Sequence, residues 1–180
     1  MHSAHEAHIR PATEADCPAI TAITNAEIEQ GRAHFAIAPD DPADIEAQFR
    51  RDSPIYPWFV AESGGTVLGF SRAARWKKRE AYDWTCESAV YIGPAAQGRG
   101  LGKRLYEALF TELERRGFRC IIAGVTVPNT ASERLHESMG MTRAGDFPAV
   151  GHKRGRWLAV RYYSRTLGDG SPPSPIRPVC

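Results

Sequence analysis

The chain has no apolar run approaching the roughly 20 residues that a membrane-crossing helix needs, so no transmembrane segment is expected in its 180 residues. It is also poor in cysteine. Cys17, Cys86, Cys120 and Cys180 are scattered with no CxxC or CxxH spacing, which argues against a zinc site and against a disulfide framework. No metal is expected, and the thiols read as reduced. A charge imbalance is missing as well: 23 Lys and Arg stand against 21 Asp and Glu, and the resulting +2 gives no global field of the kind that gathers nucleic acid. Neither nucleic acid nor a membrane is an expected partner. The opening MHSAHEAHIR lacks the apolar core of a signal peptide, so a cytoplasmic location is the default expectation.

What is present suits one soluble domain. With 42% hydrophobic and 24% charged residues, the chain is long enough to bury one substantial core and too short for two. His2, His5 and His8 recur at a spacing that could gather metal ligands on a helix, but they precede any periodic pattern and read as a frayed terminus. From Gly168 the sequence GDGSPPSPIRPVC contains four prolines and two glycines and little to bury, the composition of a mobile tail. The expected organisation is a flexible terminus over residues 1–8, a single domain over 9–167 and a Pro-rich flexible tail over 168–180.

Within the domain, Thr13-Glu14-Ala15-Asp16 has the pattern of a capping box, followed by Cys17, Ile20, Ile23 and Ala26 near helical spacing. Pro39-Asp40-Asp41-Pro42 breaks the chain, and Ile45 with Phe49 suggests a second helix. The period then changes to two. Residues 58–61 and 67–70 read as a hairpin around Ser63-Gly64-Gly65-Thr66, and a longer strand is predicted over 84–92. Leu101, Leu105, Ala108, Leu109 and Leu113 form the stripe of a helix ending at Gly117. The apolar run 120–127 has the signature of a strand buried on both faces. Asn129 is placed to cap a helix carrying Ala131, Leu135 and Met139, and 142–150 and 156–166 read as closing strands around a turn from Gly151 to Gly155. The order implies an α+β fold with a mixed sheet.

One junction carries more information. Gln97-Gly98-Arg99-Gly100-Leu101-Gly102-Lys103 lies between a strand and a helix, where backbone N–H groups and the helix dipole can hold phosphate. The nucleotide-triphosphate pattern GxxxxGK[ST] fails, because Gln97 stands where its first Gly belongs and Arg104 follows Lys103; the dinucleotide pattern GxGxxG fails at its last glycine. Two residues inside elements also stand out. Glu87 interrupts an apolar strand in CESAVYI, either as an outward-facing glutamate or as a functional carboxylate, and His136 lies beside the Leu135–Met139 stripe, either as a half-exposed helix histidine or as a proton-transfer group. The basic run Arg75-Trp76-Lys77-Lys78-Arg79 reads equally as a solvated face or as a ligand contact.

The glycine loop resembles the Q/R-x-x-G-x-G/A pyrophosphate loop of the GNAT superfamily of acyl-CoA-dependent N-acyltransferases. That superfamily's later helix motif N-x-x-A-x-x-L-Y-x-x-x-G-F is matched by Asn129, Ser132, Leu135, His136, Gly140 and Met141, with Ser for Ala, His for Tyr and Met for Phe. A narrower resemblance covers most of residues 9–167. Tyr56-Pro57-Trp58-Phe59-Val60-Ala61-Glu62, the segment from Trp76 to Ser88, Arg134-Leu135-His136-Glu137 and Gly155-Arg156-Trp157-Leu158 are similar to the phosphinothricin and methionine sulfoximine N-acetyltransferase branch. Ala159 departs from the Asp usual in the closing motif, and Thr126 lies where the branch varies.

The resemblance implies a GNAT-type, mostly antiparallel central sheet with helices on both faces and a splayed strand pair that binds CoA. It implies acetyl-CoA as cosubstrate, held by Val90, Tyr91, Ile92, by Gln97, Gly98, Arg99, Gly100, Leu101, Gly102 and Lys103, and by Asn129 and Ser132. Glu87 falls on the general base, acting directly or through a water, and His136 on the position near the CoA sulfur. Phe35, Lys77, Arg79, Tyr82 and Thr126 fall on substrate positions, suited to a small acidic α-amino acid analogue. The implied function is acetylation of such an amine, with a possible resistance role and a homodimer formed near Trp157. Two rivals stay open at this point: acetylation of a protein N-terminus or lysine, and a catalytically silent acyl-CoA sensor.

Overall fold

In the computed structural model, residues 6–171 and 173–178 are described; His2, His5 and Cys180 lie outside the described residues. The capping box forms as predicted. Asp16 accepts hydrogen bonds from the Thr13 backbone and hydroxyl and is held by Arg10 at 2.7 Å, opening helix α1 (Cys17–Gln30). Helix α2 (Pro42–Asp52) starts at Asp41, whose side chain accepts from the Ala43 N–H. Strand β1 (His8–Pro11) was too short to show a period and pairs antiparallel with β2 (Trp58–Ser63). Strands β3 (Thr66–Arg75) and β4 (Thr85–Ile92) follow, then helix α3 (Leu101–Arg116), β5 (Cys120–Val127), α4 (Thr130–Ser138), β6 (Thr142–Lys153) and β7 (Arg156–Thr166). The final turn is tighter than expected and sits at Arg154-Gly155, both with positive φ, because β6 continues past Gly151.

The described strands form one sheet in the order β1-β2-β3-β4-β5-β7-β6, with only β4 and β5 parallel. Strand parity divides its side chains between two layers. Helices α1 and α2 cover one face at the β2–β3 end, where Cys17, Ile20, Ile45, Trp58, Val60 and Phe70 are buried together. Helix α3 lies on the other face, burying Tyr106, Leu109, Phe110 and Leu113 against Ala73, Cys86, Ile121, Ala123 and Tyr163. The expectation that β5 would be buried on both faces is corrected: Ile121, Ala123 and Val125 are buried, but Ile122 is half-buried and Gly124 exposed. No helix covers that second face of β5. Likewise Ile23 and Ala26 of α1 border a cleft, while the buried stripe of that helix runs through Ile20, Thr24 and Ile28.

The end of α3 is locked by a buried arginine. Arg116 donates from Nη1 to the carbonyls of Pro54 at 3.1 Å and Ile55 at 2.9 Å, and from Nε to Glu112 at 2.8 Å. The described part of the Pro-rich end reaches the same corner: Trp84 Nε1 donates to the Ser174 carbonyl at 2.7 Å, Arg177 N–H to the Arg116 carbonyl at 3.0 Å, and Ile176 packs on the α3 core. Arg115 and Arg116 together hold the Glu112 carboxyl down at about 2. Arg116→Met would keep the apolar stem but leave those buried carbonyls without their donor and Glu112 with Arg115 alone; a loss of about 3 kcal/mol is expected in urea unfolding.

Candidate functional site

Strands β4 and β5 pair only through Thr85 with Cys120, Cys86 with Ile121 and Glu87 with Ile122. Beyond that point they part. β4 remains paired with β3 as far as Ile92 opposite Gly69, and β5 with β7 as far as Val127 opposite Ala159. The two strands therefore turn bare inner edges toward one another, and the splayed pair implied by the resemblance is present.

A cleft of about 1070 Å³ occupies this fork. Val90, Tyr91 and Ile92 line it from β4, and Gln97, Gly98, Gly100, Gly102 and Lys103 from the glycine loop and the start of α3. Gly98 and Gly100 have φ of +75° and +73°, left-handed values that a side chain resists. Gly102 instead lies where a Cβ would come within 3.1 Å of Leu135, so it lets α3 and α4 approach. No side chain caps α3, and its first intrahelical bond is Arg104 N–H to the Gly100 carbonyl. The N–H groups of Leu101, Gly102 and Lys103 precede that bond and can serve an anion. Asn129 and Ser132 line the opposite side, and Asn129 caps α4 through its side-chain oxygen at 3.2 Å from the Ser132 nitrogen. Two residues assigned to this set turn their side chains elsewhere: Arg99 reaches back to the Ala95 carbonyl at 3.2 Å, and the Leu101 side chain is buried with Ala96 and Leu105. Neither side chain lines the cleft.

A second cavity of about 380 Å³ meets the cleft at Ala33, Tyr91 and Thr126. Its floor is the uncovered sheet face: Arg72 and Ala74 from β3, Glu87 and Ala89 from β4, Gly124 and Thr126 from β5, Val160 and Tyr162 from β7. The segment 33–36 forms its wall. The buried Lys153 ammonium donates to the His34 carbonyl at 2.6 Å, Arg154 to the Gln30 carbonyl at 2.9 Å, and the Phe35 ring rests on Gly151, where a Cβ would overlap it. Glu87 stands at the last paired position before the fork. Burial raises its carboxyl above the ordinary value of 4.5, against the opposing pull of Arg72 and then Lys77.

His136 is placed differently from expectation. It is buried and lines neither cavity. Its Nδ1 lies 2.7 Å from the Ser132 carbonyl and its Nε2 3.2 Å from the Tyr106 hydroxyl, with the ring stacked on Tyr163. Since a carbonyl can only accept, Nδ1 carries the proton in the neutral ring and Nε2 accepts from the phenol. Burial lowers the imidazole pKa and favours that neutral form. Of the expected substrate residues, Phe35 and Thr126 line the small cavity, whereas Lys77, Arg79 and Tyr82 do not. Lys77 sits 4.6 Å over the Trp76 ring, whose edge meets Tyr162. Arg79 opens a short 3-10 turn through its carbonyl, which accepts from Tyr82 N–H, and Tyr82 is exposed. Sequence reasoning passed over Arg72, His34 and Tyr162. The signal for Arg72 was available in GFSRAAR, where a charge interrupts a strand as Glu87 does.

Residues 20–141 match the family model described as the acetyltransferase (GNAT) family. The chain is 42% identical to the phosphinothricin N-acetyltransferase of Streptomyces viridochromogenes over 95% of its own length and 93% of the relative's. It is 36% identical to the L-methionine sulfoximine/L-methionine sulfone acetyltransferase of Salmonella typhimurium, covering 92% of this chain and 97% of that one. Its fold superposes with a TM-score of 0.90 on a GNAT superfamily phosphinothricin acetyltransferase from Sinorhizobium meliloti solved in complex with acetyl-CoA, at 32% identity and 93% coverage of both chains. Among the described residues, no cluster of three His, Cys, Asp or Glu side chains is placed to hold a metal ion.

The raised Glu87 carboxyl has a consequence for stability. A group whose folded pKa is raised holds more protons folded than unfolded, so stability falls as pH rises from 4.5 through the folded value. Glu87→Gln removes that fall. The variant is expected to unfold at higher urea than the parent at about pH 7 and to lose this advantage below about pH 4.

Proposed function

The chain belongs to the acetyltransferase (GNAT) family, and from that premise we propose that it transfers the acetyl group of acetyl-CoA to the α-amino group of a small amino acid analogue of the phosphinothricin or methionine sulfoximine/sulfone type. The observation that carries this reading is Glu87 at the mouth of the fork, on the floor of a small cavity that opens into the long cleft. The cleft fits acetyl-CoA: the Gly98–Lys103 backbone receives the pyrophosphate, and the unpaired edges of β4 and β5 receive the amide-bearing arm. Acetyl-CoA supplies an acyl group on a good leaving thiolate.

The chain's residues supply the rest. An amine is largely protonated near neutral pH and cannot attack until it loses that proton. Glu87 takes it, directly or through one water, and its raised pKa makes it a stronger base than an ordinary surface carboxylate. His136, away from both cavities, acts through its hydrogen bond to Tyr106, whose ring belongs to the apolar layer between α3 and the sheet. We assign His136 to this positioning role. Phe35 and Thr126 shape the acceptor cavity, and Lys77 acts on Glu87 through space. Arg79 and Tyr82 have no role in this reading.

Acetylation removes the charge of the amine that a target enzyme would recognise, so a protective role against such analogues follows, and the demand for acetyl-CoA fits a cytoplasmic location. No helix among the described residues is long and apolar enough to cross a membrane. The β6–β7 hairpin leaves Trp157 at 68% exposure and Phe147 and Val150 at 54% each, apolar surface suited to a homodimer. A cavity of about 380 Å³ walled by Phe35 and Tyr162 favours a free amino acid over a peptide.

Thiol release from acetyl-CoA, measured with phosphinothricin, methionine sulfoximine, methionine sulfone, ordinary amino acids and short peptides, tests the class. Saturable turnover with the first three is expected, with kcat reduced about 10²- to 10⁴-fold in Glu87→Gln. In the parent, kcat/KM should rise with pH through the raised Glu87 pKa, so its acid limb lies above the usual carboxylate range; silence across the panel would reject the reading. Light scattering after size exclusion should give twice the mass of one chain, and a monomer would reject the dimer.

A further inference from the structure

We propose that Arg72 recognises the α-carboxylate of the acceptor amino acid, which makes it a specificity-determining residue that reads the substrate as a zwitterion together with Glu87. The inference rests on the amino acid acetylation reading above and goes beyond it by assigning one end of the ligand to one side chain.

Strand register sets the relation between the two residues. Arg72 pairs with Ala89, and Ala74 pairs with Glu87. Arg72 and Glu87 are therefore diagonal neighbours on the same face, a relation that places Cβ atoms about 7 Å apart. The two directly opposed residues are alanines, so nothing large stands between the charged ends. Both residues line the small cavity, and among the described residues Arg72 is the only Lys or Arg that does. His34, the other basic side chain there, uses Nδ1 to accept from the Ala36 N–H.

The guanidinium is held but not neutralised. It lies 5.1 Å over the Trp58 ring, a contact that fixes the stem and one face of the group. Its Nη1 is buried without a hydrogen-bond partner. An arginine in this state is costly, because a buried donor left unmade loses its hydration with no return, and the missing partner must accept hydrogen bonds and carry negative charge. A carboxylate does both, in the two-pronged geometry that a guanidinium favours.

An α-amino acid carries its amine and carboxylate on one carbon. With the amine beside Glu87, the carboxylate falls toward the neighbouring strand, where Arg72 is. The rest of the molecule then extends toward Val160, Tyr162 and Phe35, and the chemical identity of the side-chain head is read there. Reversing the ligand would set its carboxylate against Glu87 and its ammonium against Arg72, so the pair also imposes direction.

The test is steady-state kinetics of the parent, Arg72→Gln and Arg72→Lys with methionine sulfone and with its decarboxylated analogue, which keeps the amine and the sulfone. In Arg72→Gln, KM for methionine sulfone is expected to rise about 10- to 100-fold, with kcat altered much less. The decarboxylated amine should lose much less than the acid in Arg72→Gln, any change there following the altered pull on Glu87, and Arg72→Lys should fall between parent and Gln variant for the acid. Equal losses on both substrates would overturn the proposal, as would no loss on either. A larger loss for phosphinothricin than for methionine sulfone would also overturn it, by assigning Arg72 to the anionic side-chain head. Acetyl-CoA affinity and the thermal melt report whether the Gln variant is folded. If it is not, the parent alone decides, because equal efficiency on the acid and the decarboxylated amine rejects carboxylate recognition. A parent active on amino acids with an indifferent Arg72 would sink this inference alone, whereas a parent inert toward every amino acid would sink the functional reading and this one with it.

Discussion

The parting of β4 and β5 after three paired positions is the constraint on which the site depends. A parallel pair that continued would satisfy its inner edges with each other and close the sheet. Here each strand is held open from outside, β4 by its antiparallel pairing with β3 and β5 by its pairing with β7. The separation is thus built from ordinary ladders and requires no strained strand. Its cost is a set of backbone groups facing a cleft instead of a neighbour, which is the property a ligand rich in amide groups can use. Glu87 acquires its place from the same event, since the last paired position is where a side chain stands beside both the acceptor cavity and the opening.

The two faces of the sheet divide the labour. On one, α3 buries a continuous apolar layer from Ala73 to Tyr163, and the Arg116 clamp fixes the end of that helix. The opposite face is left uncovered across β4, β5 and β7, and the charged residues lie there. Because β3 and β4 are long ladders supported from below, Arg72 and Glu87 project from a rigid base. The wall opposite them is a loop, yet Lys153 binds its His34 carbonyl, Arg154 holds the Gln30 carbonyl at the end of α1 before it, and Phe35 rests on Gly151. The same β6–β7 hairpin therefore closes the acceptor cavity and sets Trp157 on the lining of the long cleft.

How much of this could be read in the sequence depends on what a local pattern encodes. The glycine loop was legible because left-handed φ values at Gly98 and Gly100 leave a compositional trace, and the capping residues Thr13 and Asn129 mark helix starts for equally local reasons. Strand parity put Glu87 on a face but could not say that no helix covers that face, so β5 was expected to be buried on both sides. Depth misled in the opposite direction at His136, which the pattern set beside the apolar stripe and the fold buries between Tyr106 and Tyr163. The basic run at Lys77 and Arg79 was conspicuous as a cluster. Arg72 stands alone among small residues and was passed over, although isolation in a strand is what brings a charge onto the cavity floor.

The electrostatics of the acceptor cavity follow from placing opposite charges on adjacent strands without letting them pair. Had Arg72 and Glu87 formed a tight ion pair, the carboxylate would be held below its ordinary pKa and would be a weak base. Separated, they leave burial as the dominant influence on Glu87, and its pKa stays raised despite the pull of Arg72 and Lys77. On the proposed reading, a bound carboxylate would neutralise the Arg72 charge and weaken that pull, leaving the glutamate more basic when an acceptor amine is beside it. An amine lacking the carboxylate produces no such change. On that reading a single strand register, Arg72 opposite Ala89 and Glu87 opposite Ala74, links recognition to proton abstraction.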